Sequence, residues 1–136
     1  MAKGVLSMLI GVGVDLVSIP RIGKVYRRFP DRFLRRILTP REEELLRRRR
    51  DLLSSLAARF AAKEAVLKAI GCGIGPAAMR EVEVISAPGR PPRVQLHGRA
   101  AALARKRGIA AVAVSLTHES PFAGAVAAAY GIRGDL

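Results

Sequence analysis

One stretch, Leu52–Ile70, limits what this chain can fold into more than any other. At about 100° per residue, Leu56, Phe60, Leu67 and Ile70 fall on one side of a helix, and Ala58, Ala61, Ala62, Ala65 and Ala69 on the other. No side is left for solvent, so the spacing predicts a long helix buried nearly all round, stopped by Gly71. Lys63 projects from the middle of the apolar stripe, and Glu64 stands at its edge one turn before Lys68. A buried charge is costly unless it is paired or bound to a metal. A plain Glu64–Lys68 pair is one reading; two cations and one carboxylate on an alanine-packed helix favour the other, a functional site.

The chain around this helix reads as β, several α, β, β, α, β, β. Val12, Val14 and Leu16 carry a buried first strand that ends at Ser18-Ile19-Pro20, and a basic helix follows to about Phe29. A short helical piece covers 32–37. Thr39-Pro40-Arg41-Glu42 has the form of a capping box with proline in the first turn, opening a helix to about Arg50. Alternation predicts strands over 79–86 and 93–97, and 98–107 reads as a short helix ended by Gly108. Small-residue strands over 109–117 and 122–130 close the chain. Short links between consecutive strands call for antiparallel pairing, hence an α+β fold. The 136 residues suit one domain, 1–136, with 1–7 a dispensable tail ahead of an alternative start at Met8 and 131–136 frayed.

Charge narrows the partners. The chain carries 24 Lys and Arg against 11 Asp and Glu, a net charge of +13. Nineteen of those cations are arginine, whose fork suits phosphate and carboxylate. Within 21–50 there are 12 basic and 4 acidic residues, a face for a polyanion or an acidic protein. The chain has 4 Phe, 2 Tyr and no Trp, which provides poorly for base stacking and argues against nucleic acid. The single cysteine, Cys72, excludes an internal disulfide and a cysteine-built zinc site. No apolar run approaches the roughly 20 residues of a membrane span. The run after Lys3 resembles a signal sequence only superficially, because Gly11, Gly13 and Asp15 break it, so the expectation is a cytoplasmic protein away from membranes.

Asp15 is the only acid in the first thirty residues. Alone it reads as a turn residue. Beside Glu64 it would need a cation, and one hard ion, Mg²⁺, held by two carboxylates, phosphate oxygens and water meets that need.

Three segments now carry a resemblance. GVGVDLVSIPRI, RFAAKEAVLKAIGCGIG and VAVSLTH resemble, in order and spacing, the signatures of the holo-acyl-carrier-protein synthase family, the short trimeric 4'-phosphopantetheinyl transferases of bacterial fatty acid synthesis. The resemblance implies transfer of 4'-phosphopantetheine from coenzyme A to a serine of apo acyl carrier protein, releasing adenosine 3',5'-bisphosphate. It implies Asp15 and Glu64 as Mg²⁺ ligands, and Arg59, Lys63 and Lys68 beside the coenzyme A phosphates. Lys63 or Lys68 would relieve charge on the leaving phosphate, while the base stays open between Glu64 and a metal-bound water. Gly71, Gly73, Gly75 and His118 would lie near the nucleotide, and Arg21 and Arg28 on the helix that docks the carrier protein. Cys72 departs from the threonine common at its position. Two alternatives stay open for the run Arg47-Arg48-Arg49-Arg50: a solvated helix end, or a contact to a coenzyme A phosphate. The family is trimeric, and the alanine-rich strands over 110–116 and 122–130, Ala127 among them, suggest packing against another copy.

Overall fold

The computed structural model describes residues 6–73 and 79–133. In chain order they form β1 (Leu6–Ser18), α1 (Ile19–Arg28), α2 (Pro30–Ile37), α3 (Pro40–Arg47), α4 (Leu52–Ile70), β2 (Val82–Ile85), β3 (Arg93–Leu96), α5 (Gly98–Lys106), β4 (Ala111–Glu119) and β5 (Phe122–Arg133). β1, β5 and β4 make an antiparallel sheet with β5 in the centre, and β2 and β3 make a separate antiparallel hairpin. The fold is α+β, as expected. Among the described residues no helix is long and apolar enough to cross a membrane.

Helix α4 is the axis of the molecule. Its alanine side lies on the three-stranded sheet, whose central strand answers with the buried Ala123, Ala125, Ala127 and Ala129. Small residues on both surfaces let helix and sheet approach closely. The approach is tightest at β1, where a Cβ on Gly11 or Gly13 would run into the carbonyl oxygens of Ala69 and Ala65. Away from the sheet, Leu56, Leu67 and Ile70 of α4 continue the same core with Leu34, Ile37, Leu46, Val82 and Val84. At its end Gly71 takes φ +76, and the Cys72 N–H bonds the Leu67 carbonyl to close the last turn.

Several boundaries differ from expectation. β5 runs later than expected, because Leu6, Ser7 and Met8 of β1 pair with Arg133, Ile132 and Gly131. The end expected to fray at 131 is therefore ordered through Arg133, and Ser7 of the expected tail lies in a strand. Helix α3 stops at Arg47, three residues short of the expected end. Met79 and Arg80 are helical, and β2 begins only at Val82.

β1 is buried on one face only. Val12, Val14 and Leu16 point away from α4 and are 57, 66 and 68% exposed, with Val126 of β5 beside Val14 on the same face. The expectation that Ala127 faces another copy is corrected: it is 1% exposed within the single chain and faces α4. Strand alternation explains the swap, since Val126 and Ala127 sit on opposite sides of β5.

Candidate active site

The alternation that turns Gly11 and Gly13 toward α4 turns Asp15 the same way, and α4 presents Glu64 and Lys68 one turn apart to meet it. Lys68 Nζ donates to Asp15 Oδ1 at 3.1 Å and to the Val14 carbonyl at 3.0 Å. Lys68 thus pairs across to β1, not back along its helix to Glu64. Asp15 Oδ2 is buried and has no hydrogen-bond partner among the described residues. An acceptor left bare in this way is costly and calls for a ligand.

Asp15 and Glu64 line one open cavity of about 440 Å³ together with Ser18, Arg21, Phe33 and Phe60. Ser18 caps α1 by accepting from the Arg21 N–H at 3.3 Å, which places Arg21 at the mouth of this cavity. Arg28 lies seven residues further along the same exposed face, its guanidinium 5.3 Å from the centre of the Phe29 ring. Burial, then repulsion from the Asp15 carboxylate, pushes Glu64 above the ordinary glutamate value, against the pull of Lys68. Two carboxylates, one with an orphaned oxygen, fit a hard divalent cation. Among the described residues no group of three or more His, Cys, Asp or Glu is gathered that could hold a metal ion, so such a cation would need further oxygens besides these two carboxylates.

The Glu64 shift has a measurable sign. The folded protein holds this proton to higher pH than the unfolded chain does. Without a bound cation, stability therefore falls as pH rises from the ordinary glutamate range through the raised value. Glu64→Gln in chelator is expected to melt above the wild type at neutral pH and to show a flatter pH dependence. Thermal melts between about pH 5 and pH 8 check this. A variant that melts below the wild type at neutral pH would contradict the assigned strain.

A second cavity, of about 280 Å³, brings together Arg49, Ser55, Arg59, Thr117 and His118. Arg59 is buried and donates to the Val84 carbonyl at 2.6 Å, while Arg49 Nε donates to Ser55 Oγ at 3.1 Å. Several donors converge here without a carboxylate in the lining, a setting for an anion. Sequence reasoning placed Arg59 and His118 near one ligand but did not single out Arg49 or Ser55. The arginine run divides: Arg47 and Arg48 pair with Glu43 and Glu44 one turn back, at 3.0 and 2.9 Å, and Arg49 turns to the cavity. The two cavities share no lining residue.

The other expected site residues are placed as follows. Gly71 and Gly73 leave the end of α4, and Gly75 lies outside the described residues. Lys63 is the exception to the expected gathering, and its expected place beside a ligand phosphate is corrected. It is 0% exposed and forms an ion pair with the equally buried Glu42 at 2.7 Å. Burial lowers its proton affinity, and Glu42 opposes that. The cause is its place in the apolar stripe, which turns it toward Glu42, Met79 and Val82 and not toward β1.

Comparison with known proteins gives the family and the fold. A family model of the 4'-phosphopantetheinyl transferase superfamily matches residues 11–123. A curated relative from Desulforudis audaxviator, named holo-[acyl-carrier-protein] synthase, is 47% identical over 91% of this chain and 95% of its own. The crystal structure of holo-[acyl-carrier-protein] synthase from Neisseria meningitidis superposes with a TM-score of 0.80 at 34% identity, over 90% of this chain and 98% of that one. The Helicobacter pylori enzyme of the same name, in complex with coenzyme A, superposes with a TM-score of 0.75 at 34% identity, over 87% and 98%.

Proposed function

The chain belongs to the 4'-phosphopantetheinyl transferase superfamily, and we propose that it moves the 4'-phosphopantetheine group of coenzyme A onto a serine of an apo acyl carrier protein. The observation that carries this reading is the facing pair Asp15 and Glu64, with a bare buried oxygen on Asp15 and Lys68 beside it. In the reaction the serine oxygen attacks the pantetheine-side phosphorus of the coenzyme A pyrophosphate. The phosphorus–oxygen bond to adenosine 3',5'-bisphosphate breaks, and the serine proton is lost. Such transfers depend on positioning and charge stabilisation more than on covalent chemistry.

Asp15 and Glu64 would hold Mg²⁺, which when bound supplies Lewis-acid charge to the pyrophosphate. Lys68, fixed by Asp15 and the Val14 carbonyl, would add an ammonium to the charge offered to the pyrophosphate. The serine proton would pass to Glu64 or to a water held at the carboxylate pair. Arg59, His118 and Arg49 would form a cradle for the nucleotide phosphate, and Gly71 and Gly73, at the end of α4, would let the backbone approach the nucleotide. Arg21 and Arg28 offer the acidic carrier protein a basic edge next to the Asp15–Glu64 cavity.

The sheet face bearing Val12, Val14, Leu16 and Val126 supports self-association, read here as a homotrimer, because a sheet with one face on its core helix leaves the other apolar face to be covered. In that assembly the Arg49–Arg59–His118 cavity of one subunit serves the Asp15–Glu64 cavity of the next. We assign the protein to the cytoplasm and to fatty acid synthesis, where its two substrates meet.

Intact-mass spectrometry tests the reading. Apo carrier protein incubated with coenzyme A and Mg²⁺ is expected to gain the mass of one phosphopantetheine group, and Arg21→Glu to raise KM for carrier protein about tenfold with little change for coenzyme A. A folded protein that leaves the carrier mass unchanged contradicts the activity. Equal effects of Arg21→Glu on both substrates contradict the docking edge.

A further inference from the structure

Arg49 and Arg59 line the same cavity, but they are held in different ways. Arg59 is buried and fastened to the Val84 carbonyl. Arg49 is half-exposed and depends on one serine. Its Nε donates to Ser55 Oγ at 3.1 Å, and that hydroxyl donates its one hydrogen to Asp51 Oδ1, also at 3.1 Å. Ser55 is itself well fixed. It is 7% exposed in the first turn of α4, and its N–H bonds the Asp51 carbonyl at 2.9 Å.

This relay decides what the rest of Arg49 can do. Nε is committed to Ser55, and the two terminal nitrogens have no acceptor among the described residues. Asp51 Oδ1 lies 3.6 Å from Arg49 Nε, outside hydrogen-bond reach but close enough to compete. Guanidinium and carboxylate readily close into a forked pair, and such a pair here would turn the terminal nitrogens from the cavity to Asp51. The Ser55 hydroxyl prevents that closure by binding both groups at once. With its only hydrogen on Asp51, Ser55 has none to give to an anion.

We propose that Ser55 is a positioning residue for coenzyme A. It holds Arg49 by Nε, keeps the terminal nitrogens off Asp51 and so leaves them to a phosphate group of the substrate. The inference rests on the reading of this cavity as the cradle for that phosphate, and Arg49→Ala checks the reading by itself. KM for coenzyme A should rise about twentyfold in that variant, while KM for carrier protein stays within about twofold. A normally melting Arg49→Ala with an unchanged KM for coenzyme A removes the cradle, and the proposal with it.

Ser55→Ala is the main test. Alanine suits this helical position, so the melting temperature should stay near that of the wild type. KM for coenzyme A is expected to rise about fivefold, with KM for carrier protein within about twofold. Adding Asp51→Asn removes the carboxylate that captures Arg49 and should recover most of that loss, a rescue that a purely structural serine would not show. Adding Ser55→Ala to Arg49→Ala should raise KM no further, because the serine acts through the arginine. If Arg49→Ala raises KM for coenzyme A and Ser55→Ala leaves it unchanged, the cradle stands and the proposal is overturned. A raised KM that Asp51→Asn fails to lower, or a further rise on the Arg49→Ala background, overturns it equally.

Discussion

Asp15→Ala and Glu64→Ala are each expected to lower kcat/KM for transfer by about a thousandfold or more, some 4 kcal/mol of transition-state stabilisation, with the fold intact. The reason is geometric. Asp15 Oδ2 is buried without a hydrogen-bond partner, so its removal takes away a strained atom, and the bond lost with it is the partly exposed Lys68 pair to Oδ1. Glu64 is held above its ordinary value by burial and by Asp15, so its removal likewise relieves strain. Because both would hold one ion, the double variant should be little worse than either single one. Steady-state kinetics with circular dichroism on each variant checks this. A folded Asp15→Ala retaining most of its turnover contradicts the assignment.

The second large effect concerns assembly. Val12→Arg and Val126→Arg place a charge on the exposed apolar sheet face without touching α4, so each chain should still fold. In solution the expected result is a fall from the mass of three chains to that of one, with activity falling about a hundredfold in parallel as the two cavities lose each other across the boundary. Light scattering coupled to chromatography reads the mass. A fully active single chain contradicts the shared site. Ala127→Arg would not serve, since it would wedge a cation between β5 and α4.

The central helix was legible from its sequence to the residue, because alanine on one side and large apolar residues on the other leave no ambiguity about burial. Asp15 and Glu64 were legible for the same reason, as carboxylates where an apolar pattern has no place for them. Lys63 misled because its partner lies 21 residues away. Glu42 reads locally as the closing residue of a capping box, which it is, and nothing local shows that it also reaches into the core. The exposed face of β1 was missed because Val12, Val14 and Leu16 look like core until Gly11 and Gly13 are seen against Ala69 and Ala65, where only glycine fits. Arg49 was hidden within a run of four identical residues. Its neighbours pair with Glu43 and Glu44 one turn back, whereas Arg49 donates to Ser55 and lies 3.6 Å from Asp51.

Binding of Mn²⁺, a paramagnetic stand-in for Mg²⁺, followed by electron paramagnetic resonance in the presence of coenzyme A, tests the carboxylate pair most directly. The predicted result is one bound ion per chain in the wild type and affinity about a hundredfold weaker in both Asp15→Ala and Glu64→Ala. Binding of equal strength in all three proteins would contradict the account.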